Sequence, residues 1–95
     1  MPVKWTRQAL KNLDEIAAYI AIDNPTAAHE FLTSVFESVA QLALLPARGR
    51  PGRVAGTREL IISRYPSYIV PYRIRKNTVE VIRVFHTKQQ WPPTL

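Results

Sequence analysis

Ninety-five residues, 46% hydrophobic and 21% charged, describe a single globular domain, because a chain of this length has one core to bury and no room for a second. No apolar run approaches the roughly 20 residues of a membrane span. The N-terminal "MPVKWTRQAL" lacks the apolar centre of a signal peptide, and no cysteine is present for a disulfide or thiolate metal site, so a cytoplasmic chain with no membrane partner is expected. His29 and His86 are the only imidazoles, and neither a metal nor another cofactor is expected. The net charge of +6 is uneven: residues 1–47 carry three cations against five carboxylates, and residues 48–95 carry ten against two. Such a field favours nucleic acid, an acidic protein partner or both.

In chain order, "PVKW" reads as a short edge strand, with Trp5 expected to pack beneath the helix it precedes and Thr6 placed to cap that helix. Leu10, Leu13, Ile16, Ala17 and Ile20 recur at three- and four-residue spacing and predict a helix over about 7–22. "DNPT" then ends one helix and starts another, since Asn24 suits a cap and Pro25 the first helical position. The stripe Ala28, Phe31, Leu32, Val35, Val39 and Leu42 predicts a second helix, the longest element, reaching Leu45 before Pro46. So short a link implies an antiparallel helical hairpin.

"RGRPGRVAGTR", residues 48–58, gathers all three glycines and four arginines, and Pro51-Gly52 suits the centre of a type II turn. "RELIIS" sets Leu60 and Ile62 against Glu59 and Ile61, and "SYIVPYRI" sets Tyr68, Val70, Tyr72 and Ile74 against Ile69, Pro71 and Arg73, as strands require. Pro71 lacks a ladder donor and is expected at an edge or bulge. "RKN" is a hairpin turn, and "TVEVIRVFH", apolar on both parities, reads as a central strand. The expected fold is α+β: an N-terminal strand, an antiparallel two-helix hairpin, and a three-stranded antiparallel meander packed on the helices, with the first strand free to join.

The ordered set "DNP.AA", "GRPGR", "TREL", "YRI" and "IRV.H..Q.WP" resembles the RelE/ParE superfamily of toxins from bacterial type II toxin-antitoxin modules, over nearly the whole chain. The resemblance implies the same fold, growth arrest, a link to plasmid stabilization, and a co-expressed antitoxin that wraps the toxin in a hetero-oligomer. It leaves two mechanisms open, because RelE-like members cut mRNA on the ribosome whereas ParE-like members inhibit DNA gyrase.

RelE-like toxins resemble one another in lysines on the first strand after the helices and an arginine and tyrosine near the C-terminus. This chain has "ELII" and "WPP" at those places, so the resemblance favours the ParE-like, non-enzymatic reading. The alternative is a metal-independent endoribonuclease, an mRNA interferase: other endonucleases of the superfamily, which this chain also resembles, use a histidine near the end of the last strand with arginines and a glutamate, and that resemblance implies His86, Arg83, Arg73 and Glu59 as the groups that supply a base, an acid and convergent cations. Against it, His86 shares the parity of Ile82 and Val84 and reads as the end of a core-facing row, bonded to "TKQQW". For antitoxin or target contact the candidates are Arg48, Arg50, Arg53, Arg58, Arg64 and Arg75, whose guanidinium forks match carboxylate or phosphate. Charge reversal at Arg50 and Arg53 is expected to weaken an antitoxin complex. Tyr65, in a turn, is the freest tyrosine for base stacking, and Trp91 joins it if exposed, whereas Tyr68 and Tyr72 read as packing. A third reading, a plain nucleic-acid-binding module, predicts affinity that falls steeply with salt.

Overall fold

The structure, a computed structural model, describes residues 1–92 and 95, so Pro93 of the "WPP" stretch lies outside the described residues. Strand β1 (Val3–Trp5) leads into α1 (Arg7–Asp23) and α2 (Pro25–Ala40). Strands β2 (Arg50–Pro51), β3 (Arg58–Ile61), β4 (Tyr68–Arg75), β5 (Thr78–Val81) and β6 (Phe85–His86) follow. The sheet order is β1-β5-β4-β3-β2, with β6 against the first half of β4. Strand β1 runs parallel to β5, and all other pairs are antiparallel.

The helices form where their caps and stripes dictate. Thr6 Oγ1 accepts the Ala9 N–H at 3.1 Å and opens α1. Asn24 serves both helices: its N–H donates to the Ile20 carbonyl at 3.0 Å, and its Oδ1 accepts the Ala27 N–H at 3.0 Å. At 17 and 16 residues neither helix would hold firmly alone in water. Burial of Ala9 and Leu13 from α1 and of Phe31, Val35 and Val39 from α2, against Leu60, Ile62, Val70, Tyr72, Val79 and Val81 of the sheet, stabilises them. Each large side chain so buried contributes about 1.5–3 kcal/mol.

Several expectations need correction. The α2 helix stops at Ala40 and tightens into a 3-10 turn over Gln41–Ala43. Burial of Leu42 keeps the stripe going for three residues past Val39, while Pro46 disfavours helical geometry at Leu45. The α1 helix is therefore the longer of the two. Trp5 lies in β1, ahead of α1, and packs on Phe36 of α2 at 5.1 Å. Tyr65 is half-buried, edge-on to Phe31 at 5.2 Å.

The last strand is broken rather than continuous. Tyr72 opposes Val81 and Ile69 opposes Phe85, so two residues of β4 face the three residues Ile82–Val84 in a bulge. Neighbouring elements satisfy the bulge's backbone. Ile82 N–H donates to the Pro71 carbonyl at 2.9 Å, Thr6 Oγ1 donates to the Ile82 carbonyl at 2.9 Å, and Val84 N–H donates to Asn12 Oδ1 at 3.3 Å. Pro71 lies opposite this interruption. The bond from Ile62 N–H to the Tyr68 carbonyl makes 62–68, 60–70 and 58–72 the bonded pairs, so Pro71 turns its nitrogen away from β3 and towards the bulge. The β4–β5 hairpin turns through Lys76 and Asn77, both at positive φ (51° and 60°), the two-residue turn that matches strand twist.

Tyr72 joins the sheet to the segment after α2. Fully buried, it donates its hydroxyl to the Pro46 carbonyl at 2.7 Å and accepts the Gly49 N–H at 2.9 Å. A Cβ on Gly49 would sit 2.6 Å from the Tyr72 ring, which explains the glycine. Tyr72→Phe would leave the buried Gly49 N–H without an acceptor. It is expected to lower stability by about 1–3 kcal/mol, read as an earlier urea midpoint at unchanged m-value.

Candidate functional site: an arginine face and an apolar groove

The arginine loop is built around one carboxylate. Strand β2 uses Arg50 and Pro51 to pair with Glu59 and Arg58, so Pro51-Gly52 is not the turn. The chain reverses at Val54–Thr57 instead, where the Thr57 N–H donates to the Val54 carbonyl and Gly56 takes φ 78°, as a type II turn requires of its third residue. Gly52 N–H to the Thr57 carbonyl, 2.8 Å, closes the loop's neck. That closure brings Arg50 and Arg53 over Glu59.

Glu59 lies on the sheet face away from the helices, and its side chain is only 2% exposed. Its Oε1 accepts from Arg50 Nη2 at 3.0 Å and Nε at 3.3 Å. Its Oε2 accepts the Arg53 backbone N–H at 2.8 Å and Nε at 3.4 Å. Burial alone pushes this carboxyl up, but the Arg53 N–H, the Arg50 side chain and the charges of both arginines outweigh it and hold it below the ordinary value. Both guanidiniums remain about half exposed, at 49% and 48%.

Arg53 carries the order on to the C-terminal segment. Its guanidinium lies 3.8 Å from the centre of the Trp91 ring, and Trp91 in turn stacks on Phe85 at 4.5 Å. Phe85 pairs across strands with buried Ile69, so the tail covers the apolar part of the outer sheet face. Arg83 Nε and Trp91 Nε1 are buried here without a hydrogen-bond partner among the described residues.

A second carboxylate repeats the device. Glu80 Oε1 accepts from Arg73 Nε at 2.8 Å and lies 3.3 Å from Arg75 Nε. The Arg73 hydrogen bond and the charges of Arg75, Arg73 and Lys4 hold Glu80 below its ordinary value, against a smaller opposing effect of burial. The other candidate arginines lie elsewhere. Arg58 donates to the Gly49 carbonyl at 2.7 Å and the Ala47 carbonyl at 3.3 Å, Arg48 bonds Gln41, and Arg64 pairs with Glu30 of α2 at 3.2 Å. On the opposite side, Leu10 and Leu13 of α1 with Leu32 and Phe36 of α2 line a groove of about 570 Å³, flanked by Lys11 and Asp14. Leu10 and Phe36 are each 44% exposed there.

Residues 3–91 match the family described as the ParE toxin of the type II toxin-antitoxin system parDE. This chain belongs to the ParE toxin family. It is 48% identical over 93 residues, 98% of its own length and 95% of the relative's, to the protein named "Putative toxin Y4kP" of Sinorhizobium fredii (strain NBRC 101917 / NGR234). Its fold is similar to a solved structure described as the chromosomal ParDE TA system from P. aeruginosa, with a TM-score of 0.81 and 29% identity, covering 90% of this chain and 95% of that one.

In this ParE-family fold His86 is separated from Glu59 and Arg73 of the endonuclease alternative. The bulge reverses the parity of the last strand, so His86 shares the helix-side face with Tyr68 and Tyr72, whereas Glu59 and Arg73 face outward. His86 Nδ1 accepts the Lys88 N–H at 3.1 Å, and its ring stands edge-on to Tyr68 at 5.1 Å. Its row ends at the core side as expected, although Ile82 and Val84 are separated from it by the bulge. Trp91 is not free for stacking, because Arg53 and Phe85 already lie against it.

Sequence reasoning named Glu59 only within the endoribonuclease alternative and missed its clamp. The signal was present: a carboxylate leading the apolar run Leu60, Ile61 and Ile62 must find cations if buried, and the arginines of "RGRPGR" stood six and nine residues away. Because the folded value of Glu59 is lowered, its ionised form adds stability above the ordinary 4.5, and that contribution is lost as pH falls through the folded value. Glu59→Gln is expected to cost about 1–2 kcal/mol at pH 7, a figure reduced because both arginines are half in solvent. Between pH 5 and 3 the variant should lose less stability than wild type, with Glu80 accounting for the remaining slope. Parallel acid profiles of the two proteins would show that Glu59 carries no such linkage.

Proposed function

We propose that this chain arrests growth by binding and inhibiting DNA gyrase, and that a cognate antitoxin neutralises it in a hetero-oligomeric complex. The observation that supports gyrase binding over mRNA cleavage is the separation of His86 from Glu59 and Arg73. His86 has one ring nitrogen occupied and lies on the opposite face from Glu59 and Arg73. Glu59 is held ionised between two guanidiniums and so has no proton to give a leaving group, while Arg73 is bound to Glu80. General acid–base cleavage needs these groups around one phosphate. The ParE-like resemblance supplies the gyrase target, and the matched ParDE structure supports an antitoxin partner.

The groove between α1 and α2 is the antitoxin's seat in this reading. Its exposed Leu10 and Phe36 suit the apolar stripe of an amphipathic helix laid along the hairpin. Arg50 and Arg53 are poorer reporters of that contact than expected, because reversing either charge sets a new carboxylate against buried Glu59 and disturbs the loop itself.

One induction experiment tests both parts. Labelled thymidine and leucine incorporation are followed side by side in the first minutes after toxin expression, with and without the antitoxin gene. Thymidine incorporation is expected to fail first, and toxin carrying Leu10→Asp should stay toxic yet escape rescue by the antitoxin. If leucine incorporation fails first, the gyrase assignment is wrong. Full rescue of the Leu10→Asp toxin would remove the groove from the antitoxin interface.

A further inference from the structure

The outer sheet face carries a second kind of surface. Register places Lys4, Glu80 and Arg73 in one cross-strand row and Arg50, Glu59 and Pro71 in the next, with Arg75 two residues beyond Arg73 on the same face. With Arg53 over Glu59, five cations meet two carboxylates, and each carboxylate holds a pair of arginines. The mode of attachment matters. Arg53, Arg73 and Arg75 approach their carboxylate through Nε, and their terminal amino groups make no hydrogen bond to protein among the described residues. Their side chains are 48%, 41% and 58% exposed. Arg73 and Arg53 are hydrogen-bonded at Nε and Arg75 is ion-paired there, so their outer N–H pairs are left open and part of the entropy of ordering these side chains is spent in folding.

We propose that this face binds the sugar–phosphate backbone of duplex DNA. The proposal goes beyond the gyrase reading and does not depend on it. Three features select this ligand. Planar N–H pairs on a cationic surface match phosphate oxygens. Ile69 and Phe85 at the apolar centre of the face are buried, with Trp91 lying against Phe85, and phosphate contacts, unlike the anchoring side chain of a peptide, need no pocket there. Single-stranded nucleic acid is held largely by stacking on aromatic rings, and Trp91, the ring beneath Arg53, is already stacked.

The test is anisotropy of a labelled 20-base-pair duplex titrated with purified toxin between 50 and 200 mM salt. Sequence-independent binding is expected, in the range of about 1–100 μM, with log affinity falling against log salt at a slope of about −3. Arg73→Gln, with Glu80 still present, should weaken binding and reduce the slope by about one. Arg73→Lys should recover most of the slope but less of the affinity. Arg64→Gln, on the helix side, removes the same net charge and should change neither, and circular dichroism confirms that each variant is folded. No binding at 50 mM salt would overturn the proposal. So would an equal loss from Arg64→Gln, which would mean that only net charge matters. Tighter binding of single-stranded RNA, or of an acidic peptide of equal charge, would assign the face to another ligand.

Discussion

The outer half of this molecule depends on one buried carboxylate. Glu59 sits in the middle of a sheet with almost no solvent contact, and a charge so placed is tolerable only with cations and N–H donors around it. The loop between Arg50 and Arg58 meets that requirement, with two guanidiniums and a backbone N–H converging on two oxygens. Consequences spread outward from there. Arg53, once fixed, lies over Trp91, Trp91 lies on Phe85, and the segment after β6 is thereby drawn across the apolar residues of β4 and β6. An electrostatic need in one strand thus orders a loop on one side and Trp91 on the other.

The inner half is organised by shape rather than charge. Tyr72, buried under the segment that leaves α2, fixes where that segment crosses the sheet, and the bulge at Ile82–Val84 is held by Thr6 and Asn12 of the first helix region. The bulge also sets the face on which His86 stands. Without it, His86 and Phe85 would exchange faces, and the histidine would stand on the same side as Glu59 and Arg73. With it, an aromatic ring faces the tail and the histidine closes a turn, which leaves two separate surfaces: an apolar groove on the helices and a field of oriented arginines on the sheet.

Elements ruled by local chemistry were legible in the sequence. The double role of Asn24, the Pro25 start of α2, the "RKN" hairpin and the two helical stripes follow from spacing and caps, and the α+β layout follows from them. Features set by tertiary competition were less accessible. A one-residue bulge leaves no mark in "TVEVIRVFH", because both parities there are apolar with or without it. Pro51-Gly52 resembled a turn centre, but pairing with β3 took Pro51 into a strand and left the positive φ to Gly56. The arginines of residues 48–58 looked like one cluster. The fold divides them, with Arg50 and Arg53 on Glu59, Arg58 on backbone carbonyls and Arg48 beside α2, and it adds Arg73 and Arg75 from a distant strand to the outward-facing group.

The coupling of loop and tail through Glu59 is the claim on which the rest stands, and native-state hydrogen exchange reads it directly. In the wild-type protein the Arg53 amide and the Trp91 indole N–H should both be protected, the first by its bond to Glu59 and the second by burial. In Glu59→Gln both should exchange faster, and by similar factors, while the core amides of β4 stay slow. If the Trp91 indole kept its wild-type protection when the Arg53 amide lost its own, loop and tail would be independent, and the carboxylate would not organise this face.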